Sequence, residues 1–363
     1  MIFQPDPSTP PTVKVSLTPK YRLSLTYLGG SMISYHEACK VPTVNIGCVP
    51  VPRLILGHLP FLGESYQGPI KNMEYKRRFS DIENIVDILS EAVERYGITV
   101  MGASTLLDGE GSKRLLEAIE WTSKQTGKDL GLIVCMRIPL LMNGNKIDDY
   151  RRWLTYYHVE RKHGEDILQR YLNDPILQAR ENWKSNFLKS LESTKPYTDE
   201  LRRIDVDYQK VDQALNALKG FNILFIVLGS EIDLLAIGGR LDLLERLNNR
   251  IIKNYRYRCL VASHHAGSTI PILEKSGINI YGYVTPANRL GVMMFPTQRI
   301  CEEVIRHAKS PIVAIKPFAG GRIPPKSSLT YIYSELNIPC CMIGVASKEE
   351  LEESATIALE ILR

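Results

Sequence analysis

Residues 312–362 read IVAIKPFAGGRIPPKSSLTYIYSELNIPCCMIGVASKEELEESATIALEIL. Two short apolar runs, 312–316 and 339–344, are each followed by a glycine-containing loop and a longer amphipathic stretch, 327–336 and 348–362. Apolar runs without polar alternation suit strands buried on both faces, and a helix pattern after each suits a parallel sheet covered by helices. The same unit recurs upstream. Candidate strands fall at 53–57, 98–103, 130–136, 222–228, 259–263 and 278–284, which makes eight in all. Candidate helices fall at 81–96, 112–126, 241–253, 268–275 and 298–309. In the first of these Ile85, Leu89 and Val93 share a stripe, Ser80 or Asp81 offers an N-cap, and Gly97 offers a stop. Eight strands with a closing helix after the last predict an α/β fold, a (β/α)8 TIM barrel; a doubly wound open sheet is the alternative.

Two segments fall outside the repeat. Residues 1–50 carry β-like fragments at 12–17, 21–27 and 44–49 among prolines and glycines. They predict an N-terminal β-rich extension, a hairpin capping the bottom of the barrel formed by 51–363. Residues 140–221 separate strands three and four where one helix would suffice. This stretch is helical in pattern and holds Trp153 and Trp183. A long insertion after a barrel strand belongs at the catalytic face, as a lid or substrate-binding subdomain. An outer helical layer or subunit contact, with Trp153, Tyr156 and Tyr157 as packing residues, is the plainer possibility.

Composition narrows the function classes. The formal charge of +5 is small for 363 residues, and lysines and arginines form no long run, which argues against a nucleic-acid partner. No run of eighteen apolar residues marks a membrane span. The opening MIFQPDPSTPPTVKVSL lacks a basic stretch leading into an apolar one, and the seven cysteines form no CxxC pair. Both point to a reducing, cytoplasmic setting. The expected partner is a small-molecule substrate, with a homo-oligomer left open.

In a (β/α)8 barrel, side chains ending the strands converge on one mouth. In order these are His58 and Glu64; Ser104, Thr105 and Asp108; Arg137; Ser230, Glu231 and Asp233; Ser263, His264 and His265; Thr285 and Asn288; Lys316 with Gly320, Gly321 and Arg322; and Gly344 with Ser347. The glycine-rich IKPFAGGRI and the helix start at Ser347 form a candidate phosphate site, because helix N-terminal amides attract anions and Arg322 adds a clamp; tight turns and a simple cap are the alternative. His58, His264 and His265 with Glu64 or Glu231 leave a divalent metal open, but no HxH or HExxH spacing supports one, and no metal ligand is assigned. Adjacent strand residues point to opposite faces, so at most one of His264 and His265 faces the mouth. Lys316 is read as an anion-binding charge or a Schiff-base lysine.

The stretch 260–288, LVASHHAGSTIPILEKSGINIYGYVTPAN, resembles the strand-five to strand-six pattern of the aldo/keto reductase superfamily. VAIKPFAGGRI and MIGVASKEELEES are similar to its segments after strands seven and eight, RLILGHLPFLG to its opening, and AVERYGITVMGAST to its second strand. The resemblance is dense over 260–363 and sparse over 50–137. It implies a barrel that binds NADP(H) without a Rossmann domain. By position it assigns Ser263 to the carboxamide and Asn288, which matches the asparagine ending strand six, to the cofactor; Lys316, Gly320, Gly321 and Arg322 to the pyrophosphate; and Gly344, Ser347, Lys348 and Glu353 to the adenosine side. The family's catalytic Asp, Tyr, Lys and His have no counterparts: strand two ends Gly102–Ala103–Ser104, the loop LLDGEGS has no tyrosine, strand three carries Arg137 and strand four ends Gly229–Ser230. Candidate catalytic residues are therefore His58, Arg137 and His264, with His58 or a tyrosine of the insertion as the replacement acid.

Three functions follow as expectations. The first is an oxidoreductase using NADP(H) on a small, anionic carbonyl compound with a non-standard general acid. The second is a barrel isomerase, lyase or metal-assisted hydrolase acting on a phosphorylated or anionic small molecule. The third is a non-catalytic ligand-binding protein.

Overall fold

A computed structural model describes residues 40–363. An antiparallel hairpin, β1 (Thr43–Ile46) and β2 (Val49–Pro52), leads directly into the first barrel strand, β3 (Leu54–Leu56). The next barrel strands are β4 (Val100–Ser104) and β5 (Gly131–Met136). A small antiparallel sheet follows, β6 (Leu140–Met142), β7 (Asn145–Lys146) and β8 (Ile204–Val206). The barrel resumes with β9 (Ile223–Leu228), β10 (Arg258–Ala262), β11 (Tyr283–Pro286), β12 (Ile312–Ile315) and β13 (Cys340–Ile343). The eight barrel strands are parallel and close in the order β10-β11-β12-β13-β3-β4-β5-β9.

Side-chain alternation separates two cores. Ile55, Val100, Ile133, Phe225, Val227, Leu260, Val284, Val313 and Cys340 fill the inside of the barrel. Their strand neighbours, such as Leu56, Met101, Val134, Val261 and Ala314, pack outward under the helices. Ile46, Val49 and Val51 of the hairpin join the inner core, so the hairpin caps the floor. Gly47 makes that fit possible. Its φ is +60°, and a Cβ there would stand 2.8 Å from Tyr281 Cδ1. The fragments expected at 12–17 and 21–27 lie outside the described residues.

The helices follow their sequence signals. Ile82–Tyr96 starts at Asp81, whose carboxylate accepts from the Glu83 amide, and stops at left-handed Gly97. Two expectations need correction. The run 278–284 is not all strand: β11 occupies Tyr283–Pro286, because its register is set by pairing Tyr283 to Ile312 and Val261 rather than by the apolar residues before Gly282. The single helix expected at 327–336 is a short helix, Pro325–Thr330, that passes into a π-helical turn, Tyr331–Glu335.

The insertion packs on the loops that follow β9, β10 and β11. Its helix Asp149–Glu160 contributes Trp153 and Tyr156 to an aromatic cluster with Tyr171, Trp183 and His265, and Trp153 reaches Phe295. The Arg170 guanidinium donates to the carbonyls of Gly291, Met294 and Pro296 at 3.1, 2.8 and 2.9 Å. Asp174 accepts from the Met293 amide at 2.6 Å, and Arg240 donates to the carbonyls of Leu201 and Ile204. Hydrogen bonds to a charged group are worth about 1.5–3 kcal/mol each, so the insertion is a fixed wall on the C-terminal side of the barrel. Among the described residues no helix is long and apolar enough to cross a membrane.

Candidate functional site

The mouth lies above the inner core, where the uppermost inward positions carry small side chains. Gly102 follows inward-facing Val100 by two residues, and a Cβ on it would stand 3.0 Å from both His58 Nδ1 and Met342 Sδ. The space left by that missing side chain is taken by the His58 imidazole, whose Nδ1 is sealed from solvent and has no protein partner. Burial first, and the Lys316 charge second, push the His58 imidazole down to about 4. His264 is pushed well down by the same two causes, with smaller contributions from His265, Arg180 and Arg152. Both rings are neutral at pH 7.

Lys316 ends β12 with φ +56°, which turns its side chain across the mouth. Its Nζ lies 2.6 Å from Tyr66 Oη and 4.2 Å from the centre of that ring. Tyr66 reaches it from the loop after β3, with φ +60°. A phenol can donate a proton, and an ammonium within hydrogen-bond reach stabilises negative charge as it forms. The rim is a set of ion pairs. Arg137 pairs with Asp108 at 2.7 Å, its side chain 69% exposed; burial pushes the Asp108 carboxyl up, against the pull of Arg137. Glu231 accepts from the Ile138 amide at 3.1 Å and pairs with Arg152 at 3.3 Å. The Cys135 thiol is pushed up to about 12 by burial and nearby carboxylates, so it is no nucleophile at neutral pH.

His58, His264 and Lys316 thus meet at the mouth, with Arg137 on its rim. Several residues assigned by resemblance do not present their side chains there. Ser263 lies on the outer side of β10, one residue after inward-facing Ala262; its hydroxyl donates to Asp233 at 2.5 Å and accepts from the His265 amide at 3.1 Å. Asn288 is fully buried, and its amide donates to the Val292 carbonyl and accepts from the Val292 amide, each at 2.9 Å. Freeing either would break bonds worth about 1 kcal/mol apiece and leave buried partners unmet. A nicotinamide carboxamide therefore does not fit these two residues as they stand.

The phosphate side is more open. Lys316, Ala319, Gly320 and Gly321 all have positive φ, and exposed Arg322 braces the loop by donating to the carbonyls of Ala319 and Tyr66 at 2.8 and 3.3 Å. Ser347 caps the helix Lys348–Leu362 by accepting from the Glu350 amide, while Glu350 accepts from the Ala346 amide at 2.7 Å. With Glu349 also in the first turn, that N-terminus already holds its own carboxylates. Lys348 turns away to Asp87 at 3.2 Å, and exposed Glu353 lies further along the same helix, beyond exposed Gly344. Among the described residues no group of three or more His, Cys, Asp or Glu side chains could hold a metal ion.

Sequence reading missed Tyr66, Arg152, Glu160 and the role of His265. His265 is sealed between barrel and insertion, its Nδ1 3.0 Å from Glu160 Oε1; Glu160 also accepts from Ser268 at 2.7 Å and from Tyr171. The signal was available in WLTYYHVE, where Glu160 falls on the same helical stripe as Trp153 and Tyr156, a position that demands a buried partner. Nothing in the sequence marks Tyr66, which reaches the site only through the loop conformation.

The chain is similar to two solved structures of proteins from Pseudomonas aeruginosa assigned to the aldo-keto reductases. They share 14% and 13% identity with it, cover 89% of this chain and 95% and 94% of theirs, and give a TM-score of 0.51 in both cases. An aldo-keto reductase from Bombyx mori, solved with NADP, shares 12% identity over 88% of each chain with a TM-score of 0.45. No model of a protein family and no curated protein matches the chain. At such identity the likeness is one of fold.

Proposed function

We propose that the protein is an enzyme that binds a small anionic carbonyl compound in the barrel mouth and protonates the oxygen on which negative charge develops. Tyr66 is the acid and Lys316 the charge that steadies it. The observation that carries this reading is the 2.6 Å contact between Lys316 Nζ and Tyr66 Oη beside a neutral His58. His58, a neutral ring whose Nδ1 is sealed but which is only partly buried as a residue, is the base that a proton transfer next to the carbonyl needs, and His264 completes the polar floor. Arg137 and Arg322 serve the anionic group of the substrate from the rim. Proton exchange at the carbon beside the carbonyl tests this without knowledge of the product. A panel of 2-oxo acids and phosphorylated ketones, followed by NMR in deuterated water, should reveal exchange with the native chain. Tyr66→Phe and His58→Gln should each slow it at least a hundredfold; exchange at the native rate in both variants overturns the assignment.

A second reading, reduction of the same carbonyl by NADP(H), is favoured by the loop after β12 with its run of positive φ and by exposed Arg322. It requires a seat for the nicotinamide other than Ser263 and Asn288. Titration with NADPH and NADH, read by nicotinamide fluorescence and thermal shift, tests it. Saturation at micromolar cofactor, weakened by Arg322→Ala, supports it, and no binding at millimolar cofactor removes it.

A further inference from the structure

Lys316 stands apart from the other charged groups of the mouth. Asp108 is taken by Arg137 at 2.7 Å and Glu231 by Arg152 at 3.3 Å, and among the described residues Lys316 pairs with no carboxylate. The one hydrogen-bond partner of its Nζ there is the Tyr66 hydroxyl at 2.6 Å. An ammonium carries three donors and no acceptor, so two of its N–H bonds are left for what enters the mouth. The backbone is also committed to placing this amine. Lys316 holds φ +56° where β12 ends, a conformation that favours glycine, and the result is an Nζ set 4.2 Å from the centre of the Tyr66 ring.

The surroundings suit a reaction at nitrogen. Ala262, Ile315 and Met342 are partly buried apolar side chains packed on the inner core, a floor that keeps water from an imine. Tyr66 Oη can both give and accept a proton. The imidazoles of His58 and His264 are neutral at pH 7 and can take a proton from a carbon beside them.

We propose that Lys316 is a catalytic nucleophile whose Nζ forms a Schiff base with the carbonyl carbon of the substrate. The ammonium and the carbonyl become an iminium and one water. Nitrogen gives up two of its three protons, passed by way of Tyr66 Oη to the carbonyl oxygen, which leaves as that water. The positive charge stays on nitrogen throughout. It draws the electrons of the adjacent C–H bond toward itself, His58 takes the proton, and a neutral enamine remains until a proton returns to carbon. This rests on the reading above, in which Tyr66 is the acid and His58 the base; it adds that the oxygen Tyr66 protonates leaves the carbon, and that Lys316 is bonded to the substrate.

Reductive trapping on the whole chain tests it, with pyruvate and dihydroxyacetone phosphate as the probes. Borohydride should convert the iminium to a stable secondary amine, raise the mass of the chain by one reduced adduct, and leave that adduct at Lys316 in a peptide map. Tyr66→Phe should slow trapping at least tenfold. Lys316→Arg, which keeps the charge, should end it, and the map of the native chain identifies the modified lysine even if that variant does not fold. No adduct with either probe overturns the proposal, as does an adduct spread over exposed lysines such as Lys184 and Lys189, or one that persists in Lys316→Arg. Proton exchange without a trapped adduct overturns the Schiff base and leaves Tyr66 and His58 in their roles. An adduct at Lys316 without exchange upholds the Schiff base and removes His58 as the base.

Discussion

Lowering the pH from 7.5 to 5 should destabilise the protein, and His58 should account for a defined share of the loss. In the unfolded chain this imidazole takes up a proton near 6.5, whereas in the folded barrel it does so only near 4. Between those values the unfolded state binds more protons, so stability is full above 6.5 and falls as the pH drops toward 4. At pH 5 the medium is about 1.5 pH units below the unfolded value, which corresponds to about 2 kcal/mol. That is a sizeable part of the roughly 5–15 kcal/mol that holds an ordinary domain together. Urea unfolding followed by circular dichroism at both pH values, on the native chain and on His58→Gln, isolates the effect. His264 shifts in the same direction but is present in both proteins, so its contribution cancels. The variant should lose about 2 kcal/mol less than the native chain between the two pH values. If both lose the same amount, His58 is not a sealed neutral imidazole and the geometry assigned to Gly102 is wrong.

Two further substitutions probe the frame around the mouth. Glu160→Gln keeps the shape but replaces with an amide the carboxyl group on which Tyr171, Ser268 and His265 converge, leaves a buried partner unmet and should cost about 1–3 kcal/mol in urea unfolding; a double variant with His265→Gln should fall short of the sum of the single effects. Gly102→Ala should cost about 1–3 kcal/mol, because its methyl group needs the space held by His58 and Met342; unchanged stability would show that His58 stands elsewhere.

How far the sequence foretold this molecule depends on what each feature rests on. The barrel was legible because each strand is a local run of Ile, Val and Leu followed by a local helix pattern, as in 312–362. Strand β11 was misplaced because apolar Ile278, Ile280 and Tyr281 carry the same local signal, while the register is decided by Pro311, Ile312 and Cys259, residues distant in sequence or in the next unit. The mouth residues His58, His264 and Lys316 were legible as strand ends. Ser263 was not read correctly, since its neighbour His264 takes the inward side and leaves Ser263 under the following helix with Asp233 and Thr269. Tyr66 escaped notice for a different reason. Its place beside Lys316 depends on two positive-φ residues in separate loops, and no periodic pattern encodes such a meeting.

The barrel is also a loop with a seam. Strand β3 is held on one side by β4 and on the other by β13, and the join is fastened by the Cys341 amide on the Arg53 carbonyl at 2.8 Å, Arg53 Nε on the Pro339 carbonyl at 2.9 Å and Tyr333 Oη on the Arg53 carbonyl at 2.8 Å. These partners are about 280 residues apart. During synthesis, then, β3 emerges well before β13, the strand that completes its pairing. Until residues 339–343 emerge, β3 presents a bare edge and an apolar face, the combination most prone to pair with a neighbour.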